Sequence, residues 1–476
     1  MGTASRIRWN SLFSFLSQVI RLGTNMIMFI GIARFYGAEA FGQFTTAHTF
    51  TSLFFIVADF GFDLLLSTEV ARNQTRAKEI LERYLPLKLV FTFTAVVLMS
   101  TLAFFGSQSE STKMLMYIFS LGIIGNSLAN FFFALMKGYE QLQHETKISF
   151  FQNLLLLVVL LTLGLLHTPI VYVAIAFVVS RFAGLVLIYF SSIRVLKFPS
   201  ISFSLEHWKE TLVQCLPFGF NLLFGTLYFQ LDTILLSYWK GDYEVGIYQA
   251  AMKLLVLVLI IPEVIINAML PVLSRFHSED EGKWLHLGKL LHKTLFYTVM
   301  PIAMIFFLYT ERIIEIVYGV EKFKESIPIL RLFSVCLLIR FFNATVTVML
   351  TTSRRQSVLM MISIGLTILN IGFNVFAIPL YGTIGAAYVS LITTVIAGIP
   401  TYIIAKKYFW KILFDTRLMV TFVLIGVTTF ALWSIKEFSM FPISVFAMII
   451  GYLVLVYFGG YSVEERKLVF AIKSYR

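Results

Sequence analysis

Apolar residues fall in runs of roughly twenty along the whole chain, divided by short stretches of charge, glycine and proline. A run of about that length lets a helix cross ~30 Å of hydrocarbon. The runs predict spans at 11–34, 42–66, 85–105, 115–136, 147–167, 170–191, 211–238 and 243–273. Six more follow at 289–309, 326–352, 357–380, 382–405, 416–435 and 440–459. Spans eleven and twelve almost touch, at Pro379-Leu380-Tyr381-Gly382. The ~10-residue alternating segments of a membrane barrel are absent from the pattern, so the expected fold is all-α, a polytopic membrane protein of about fourteen helices. No loop between spans exceeds about twenty residues, which leaves no room for a soluble catalytic domain.

Charge tests that count. With the N-terminus inside, the predicted inner segments hold 25 Lys/Arg and the outer loops 7. A wrong number of helices would swap the sides partway along and blur this contrast. It stays sharp to the end of the chain, so both termini are expected to be cytoplasmic. The net charge of +12 therefore belongs to short loops beside apolar runs and implies no nucleic-acid partner. Composition agrees: 58% of residues are hydrophobic and 13% charged, where a soluble domain carries about 25% charged residues. The two cysteines, Cys215 and Cys336, lie far apart in apolar runs and point to neither metal nor disulfide. The first run is interrupted by Gln18, Arg21 and Asn25. It is too long and too polar for a signal-peptide core, and is expected to stay as span one.

An internal repeat sets the organisation. ARFYGAEAFGQFTTA (33–47) resembles LSYWKGDYEVGIYQAA (236–251) at a constant offset of 204 residues. Gly37 then pairs with Gly241 and Gly42 with Gly246, each copy forming the short outer turn between the first two helices of a six-helix set. Carried further, the offset aligns Asp59 with Glu263. Six is an even number, so both copies run in the same direction, and the repeats are expected to be related by an axis along the membrane normal with a site at their interface. The resulting domains are an N-terminal lobe (1–198), its repeat (199–407), and two extra spans with a tail (408–476).

Six Lys/Arg lie in or near spans: Arg21, Lys88, Arg181, Lys253, Arg331 and Arg340. Lys88 and Arg331 are close enough to helix ends to snorkel to the interface. The other four are deeper, where a charge costs at least ~2.5–3.5 kcal/mol. Two readings stand. They pair with acids and lock the helices together, or they form a cationic midplane for an anion such as a diphosphate, whose oxygens guanidinium forks match. The intramembrane acids Asp59, Asp63, Glu263 and Asp232 are placed nearer the mouths, and unequal depth favours the cationic cavity. Asp59 and Glu263 are either coupling-ion sites or helix-end carboxylates facing basic inner loops; Asp63 reads as the latter. Pro262 beside Glu263 removes a backbone donor and marks a kink. Asp242-Tyr243-Glu244 occupies the repeat turn and reads as structure, and Glu279-Asp280-Glu281 as a solvated loop. No phosphate-binding loop, dinucleotide fingerprint or metal-ligand spacing occurs, so neither cofactor nor enzyme chemistry is expected.

Several segments then stand in register with a known family: Ala33-Arg34, Tyr36-Gly37 and Phe41-Gly42-Gln43-Phe44; Asp59-Phe60-Gly61; Glu69-Val70-Ala71-Arg72; and Lys137-Gly138-Tyr139-Glu140-Gln141. On these the chain resembles the polysaccharide-transporter branch of the multidrug/oligosaccharidyl-lipid/polysaccharide flippase superfamily. The resemblance implies a flippase that moves an undecaprenyl-diphosphate-linked oligosaccharide from the inner to the outer leaflet of a bacterial cytoplasmic membrane, by rocking two six-helix lobes. The cationic cavity of related flippases agrees with the deep charges read above, Arg21, Arg181, Lys253 and Arg340, as substrate-binding residues, with Asp59 and Glu263 as the coupling-ion candidates; polysaccharide polymerase machinery is a further expected partner. By analogy, spans thirteen and fourteen line a groove for the lipid. The competing classes are a same-fold drug antiporter, a membrane polymerase or glycosyltransferase, and a scaffold without transport. The first is disfavoured by the lack of an acidic midplane, the second by the short outer loops, and the third by the deep charges.

Overall fold

The computed structural model describes residues 3–196, 208–353 and 355–408, with scattered positions between 420 and 465. Among them no strand occurs, and eight helices are long and apolar enough to cross a membrane, or up to ten when two bent pairs are counted. Spans thirteen and fourteen lie mostly outside the described residues, so the count of fourteen stays an expectation. Aromatic and aliphatic side chains such as Phe93, Phe104 and Leu165 stand exposed along these helices, as lipid-facing surfaces do.

The first helix, α1 (Thr3–Asp59), is two helices meeting at Gly37, where φ is 82°. Phe29 and His48 lie nineteen residues apart, about 28 Å along a straight helix. Their rings are instead 5.2 Å apart. The chain therefore reverses at Gly37, and the 38–59 arm returns beside the first. A second break at Phe60 (φ 43°) and Gly61 (φ 87°) separates this arm from α2 (Phe62–Arg72), with a bend of 42°. There follow α3 (Ala77–Phe105), α4 (Glu110–Gly138), α5 (Leu142–Leu165), α6 (Ile170–Leu196), α7 (Trp208–Trp239) and α8 (Asp242–Glu279). Then come α9 (Glu281–Leu308), the short α10 (Thr310–Tyr318) and α11 (Val320–Phe323), α12 (Ser326–Thr352) and α13 (Gln356–Tyr408). Gly382, with φ 59°, breaks α13 where spans eleven and twelve were expected to part.

Two compact units result. The first comprises residues 1–250, 317–323 and 374–383. Its core gathers Phe62, Leu66, Leu81, Tyr84, Phe131 and Leu135 from α2, α3 and α4. Gly125 of α4 is 3.1 Å, measured from the Cβ it lacks, from the α6 backbone at Arg181, so a larger residue there would push α6 away. The second unit comprises 251–316, 324–373 and 384–476. In it α9 carries Tyr297, whose carbonyl accepts from Tyr452 Oη at 2.7 Å and whose ring packs on Tyr461. Asp280 caps α9 by accepting from Lys283 N at 2.9 Å, and that backbone N–H holds its carboxyl below the usual range.

The repeat is visible in the backbone. Gly241 has φ 83°, matching Gly37, and ends α7 in the left-handed conformation that glycine adopts without penalty. Gly42 and Gly246 serve differently. A Cβ on Gly42 would collide with the Asp242 carbonyl, and one on Gly246 with the carbonyl of Ala38. The two clashes are related by the same 204-residue offset, so the starts of the 38–59 arm and of α8 meet backbone to backbone across a local two-fold.

Candidate functional site

The first unit has a half-open cavity of about 460 Å³ lined by α1, α4, α5, α6 and α7. Arg21 and Arg181, singled out from the sequence as deep charges, both line it. Arg181 lies over the Phe177 ring, 4.4 Å from its centroid, and among the described residues has no carboxylate partner. Arg21 is 3.2 Å from Glu145, an acid counted in the sequence as part of a loop. Glu145 is 3% exposed and also takes Lys137, at 3.2 Å. Its one charge is thus shared between two cations, and no Asp or Glu belongs to the cavity lining.

Six carboxamides complete the wall: Asn25, Asn126, Asn130, Gln152, Asn153 and Gln230. None was singled out as a site residue from the sequence, because uncharged side chains give no burial-cost signal. Helical spacing was the available clue: Asn126 and Asn130 are four apart, as are Arg21 and Asn25, and so share a face. Gln152 is anchored by donating to Ser180 O at 2.7 Å, and Asn130 by donating to Asn126 O at 2.9 Å. Asn153 is 2% exposed and lies on the same wall.

Lys253 of α8 and Arg340 of α12 are partly buried members of the second unit. Arg340 lies near Cys336, one turn earlier on α12. Glu263 of α8 is exposed, with no partner among the described residues.

Two sequence expectations are corrected. Lys88 does not snorkel: it is fully buried and its ammonium lies 2.8 Å from Asp59 Oδ1 and 2.9 Å from Asp63 Oδ1. Asp63 accordingly faces Lys88 and not the basic inner loops. The error came from judging each charge by its distance to a helix end and not by the depth it shares with its neighbours. Asp232, read as a residue near the outer end of its span, is buried and accepts from Tyr248 Oη at 2.5 Å and Asn374 Nδ2 at 2.7 Å. The turn acids are structural, as read: Asp242 accepts from Ser109 and Thr112, and Glu244 from Thr383 N.

A family model described as "Polysaccharide biosynthesis protein" matches residues 7–277, and a second, described as MatE, matches 217–376. The capsular polysaccharide biosynthesis protein CapF of Staphylococcus aureus is 23% identical over 209 residues, 43% of this chain and 52% of that protein. The match thus spans about half of that relative. Among solved structures, the lipid II flippase MurJ in an inward closed conformation superposes with a TM-score of 0.73 at 16% identity, covering 97% of this chain and 99% of that one. An inward-facing multidrug resistance MATE family transporter gives 0.63 at 14% identity, covering 84% and 98%. The fold is theirs, and with more than half of its length matched by the first model, the chain belongs to the polysaccharide biosynthesis protein family.

Proposed function

We propose that the chain moves a polyprenyl-diphosphate-linked oligosaccharide from the inner to the outer leaflet of a bacterial cytoplasmic membrane, with both termini cytoplasmic. The observation that carries this reading is the cavity in which Arg21 and Arg181 meet six carboxamides without a carboxylate in the wall. Guanidinium groups match phosphate oxygens in geometry and charge. Carboxamides both donate and accept, which suits sugar hydroxyls. The polyprenyl tail need never leave lipid; only the head group requires a polar path.

Transport follows by alternating access of the lobes 1–198 and 199–407. Lys253 and Arg340 supply the second lobe's contacts to the diphosphate. The seam of Gly42 and Gly246, tied by Asp242 and Glu244, is the outer closure that must part. Asp59 and Glu263 are the coupling candidates, and they differ in kind, since Asp59 is held by Lys88 while Glu263 is open. Polysaccharide polymerase machinery is the natural consumer of the product.

The test is reconstitution into liposomes. The protein should carry a polyprenyl-diphosphate sugar to the opposite leaflet, read by an impermeant sugar-modifying reagent, and should leave a cationic dye where it is. Movement of the dye without the sugar lipid would overturn the reading in favour of a drug antiporter.

A further inference from the structure

The cluster of Asp59, Asp63 and Lys88 has one charge too many. Two carboxylates face one ammonium that is fully buried, so with every group ionised the site carries a net negative charge. An uncompensated charge in a water-poor interior costs several kcal/mol, and such a group normally neutralises. The other groups do not supply the missing positive charge. Along α3, Tyr84 is neutral and buried, and Arg83 is turned to Thr211 and Glu210. From α7 comes the thiol of buried Cys215, from α4 the Phe131 ring, and farther along α2 another acid, Glu69.

Both carboxyls reach the same ammonium, at 2.8 and 2.9 Å, so they lie side by side. Two carboxylates that close repel, and a proton on one of them removes the repulsion. Their surroundings say which one holds it. Asp59 Oδ1 accepts from Lys88 Nζ at 2.8 Å and from the backbone N–H of Asp63 at 3.2 Å, whereas Asp63 has Lys88 alone. Donors favour the ionised form, so Asp59 keeps the charge. Asp63 is also the more exposed, at 19% of its side chain against 11% for Asp59, which gives the proton a way in.

We propose that Asp59, Asp63 and Lys88 form a proton-binding site in which Asp63 carries the proton, and that only the neutral, protonated cluster can be shut away from water. The location gives this a mechanical consequence. Asp59 and Asp63 stand on opposite sides of the break at Phe60-Gly61, and Lys88 of α3 bridges it. Gly61 seats α7 there, since a Cβ would lie 2.7 Å from Phe218 Cβ. When the proton leaves, the extra charge draws water to the break and opens it; when the proton binds, α2 returns. The charge pattern assigns this end of the unit to the cytoplasm, so closure of that mouth takes up one cytoplasmic proton.

The consequence for transport rests on the flippase reading above, whereas the proton itself does not, and the experiment separates them. Infrared spectra of the purified protein at neutral pH, in light and heavy water, should show a protonated-carboxyl band. Asp63→Asn and Asp59→Asn each leave one acid opposite one lysine, need no proton, and should each lose that band. If one variant does not fold, the other reads the same quantity. A band of equal size in wild type and in every folded variant, or none in wild type, overturns the proposal and leaves the flippase reading untouched. In liposomes, flipping by wild type should fall with rising pH on the α2 side, by up to about tenfold per unit once the site empties, and flipping by Asp63→Asn should be flat. Equal slopes in the two would overturn the gating step.

Discussion

The two glycine turns share their backbone geometry, and the segments beyond them differ in their charges. Gly37 and Gly241 turn the chain with φ of 82° and 83°, and Gly42 and Gly246 make reciprocal contacts. Past the turn the copies diverge. Asp59 is clamped by a buried lysine, while its counterpart Glu263 is exposed without a partner among the described residues. At the position 204 beyond Lys88 stands His292, bonded to Thr345 Oγ1 at 3.1 Å, and the next residue, Lys293, is held by Glu465 at 2.9 Å. Backbone geometry has been retained where helices must turn and touch. Ionisable chemistry has been redistributed, so the two segments offer different chemistry past the same turn.

That contrast yields graded predictions. Lys88→Met strands the ionised Asp59 carboxylate beside Asp63 and should cost roughly 3–5 kcal/mol, seen as lost folded yield on size exclusion. A yield equal to wild type would mean the cluster is hydrated and the asymmetry only apparent. Gly42→Ala and Gly246→Ala force a Cβ into a carbonyl that cannot swing aside. Each should cost about 1–3 kcal/mol, and by the local two-fold their shifts in thermal midpoint should be similar. Gly241→Ala meets no neighbouring atom and should cost only its left-handed conformation, about 1–2 kcal/mol. Unequal effects at 42 and 246 would break the symmetry.

The pair in the second unit should show itself through pH. Burial raises the Glu465 carboxyl, but the Ser462 N–H and the Lys293 ammonium more than offset this and hold it below the usual range. A lowered carboxyl stabilises above its unfolded range and stops doing so as pH falls through its folded value. Amide protection in α9 should therefore weaken on acidification in wild type and lose that dependence in Glu465→Gln. The smallest effect belongs to Glu263→Gln, expected within about 0.5 kcal/mol for an exposed side chain. A larger loss of stability would reveal a partner for it.

Much of this was legible in the residues. Apolar runs located the helices, because hydrocarbon demands about twenty residues of them whatever their identity. Paired glycines at a fixed offset located the turns, because few other residues adopt positive φ. Arg21 and Arg181 stood out because a deep charge needs a reason, and both line one cavity. Lys88 was misread although its partners shared its depth: it sits near the start of span three, and Asp59 and Asp63 near the end of span two. Glu145 was missed because a span boundary drawn five residues late left it in a loop. The carboxamides were invisible to a reading built on charge, since Asn and Gln are cheap enough to bury that one alone proves nothing. Their convergence is a property of the tertiary structure.

The central claim is that the cavity of the first unit holds the anionic head group, and Arg181 tests it most directly because it has no acid to strand. Arg181→Gln and Arg181→Lys should be reconstituted beside wild type and assayed for flipping of a polyprenyl-diphosphate sugar, with thermal midpoint measured on the same preparations. The account predicts an unchanged or raised midpoint in Arg181→Gln with flipping lost by at least tenfold, and partial flipping in Arg181→Lys, which keeps the charge without the fork. Wild-type flipping by Arg181→Gln would contradict it.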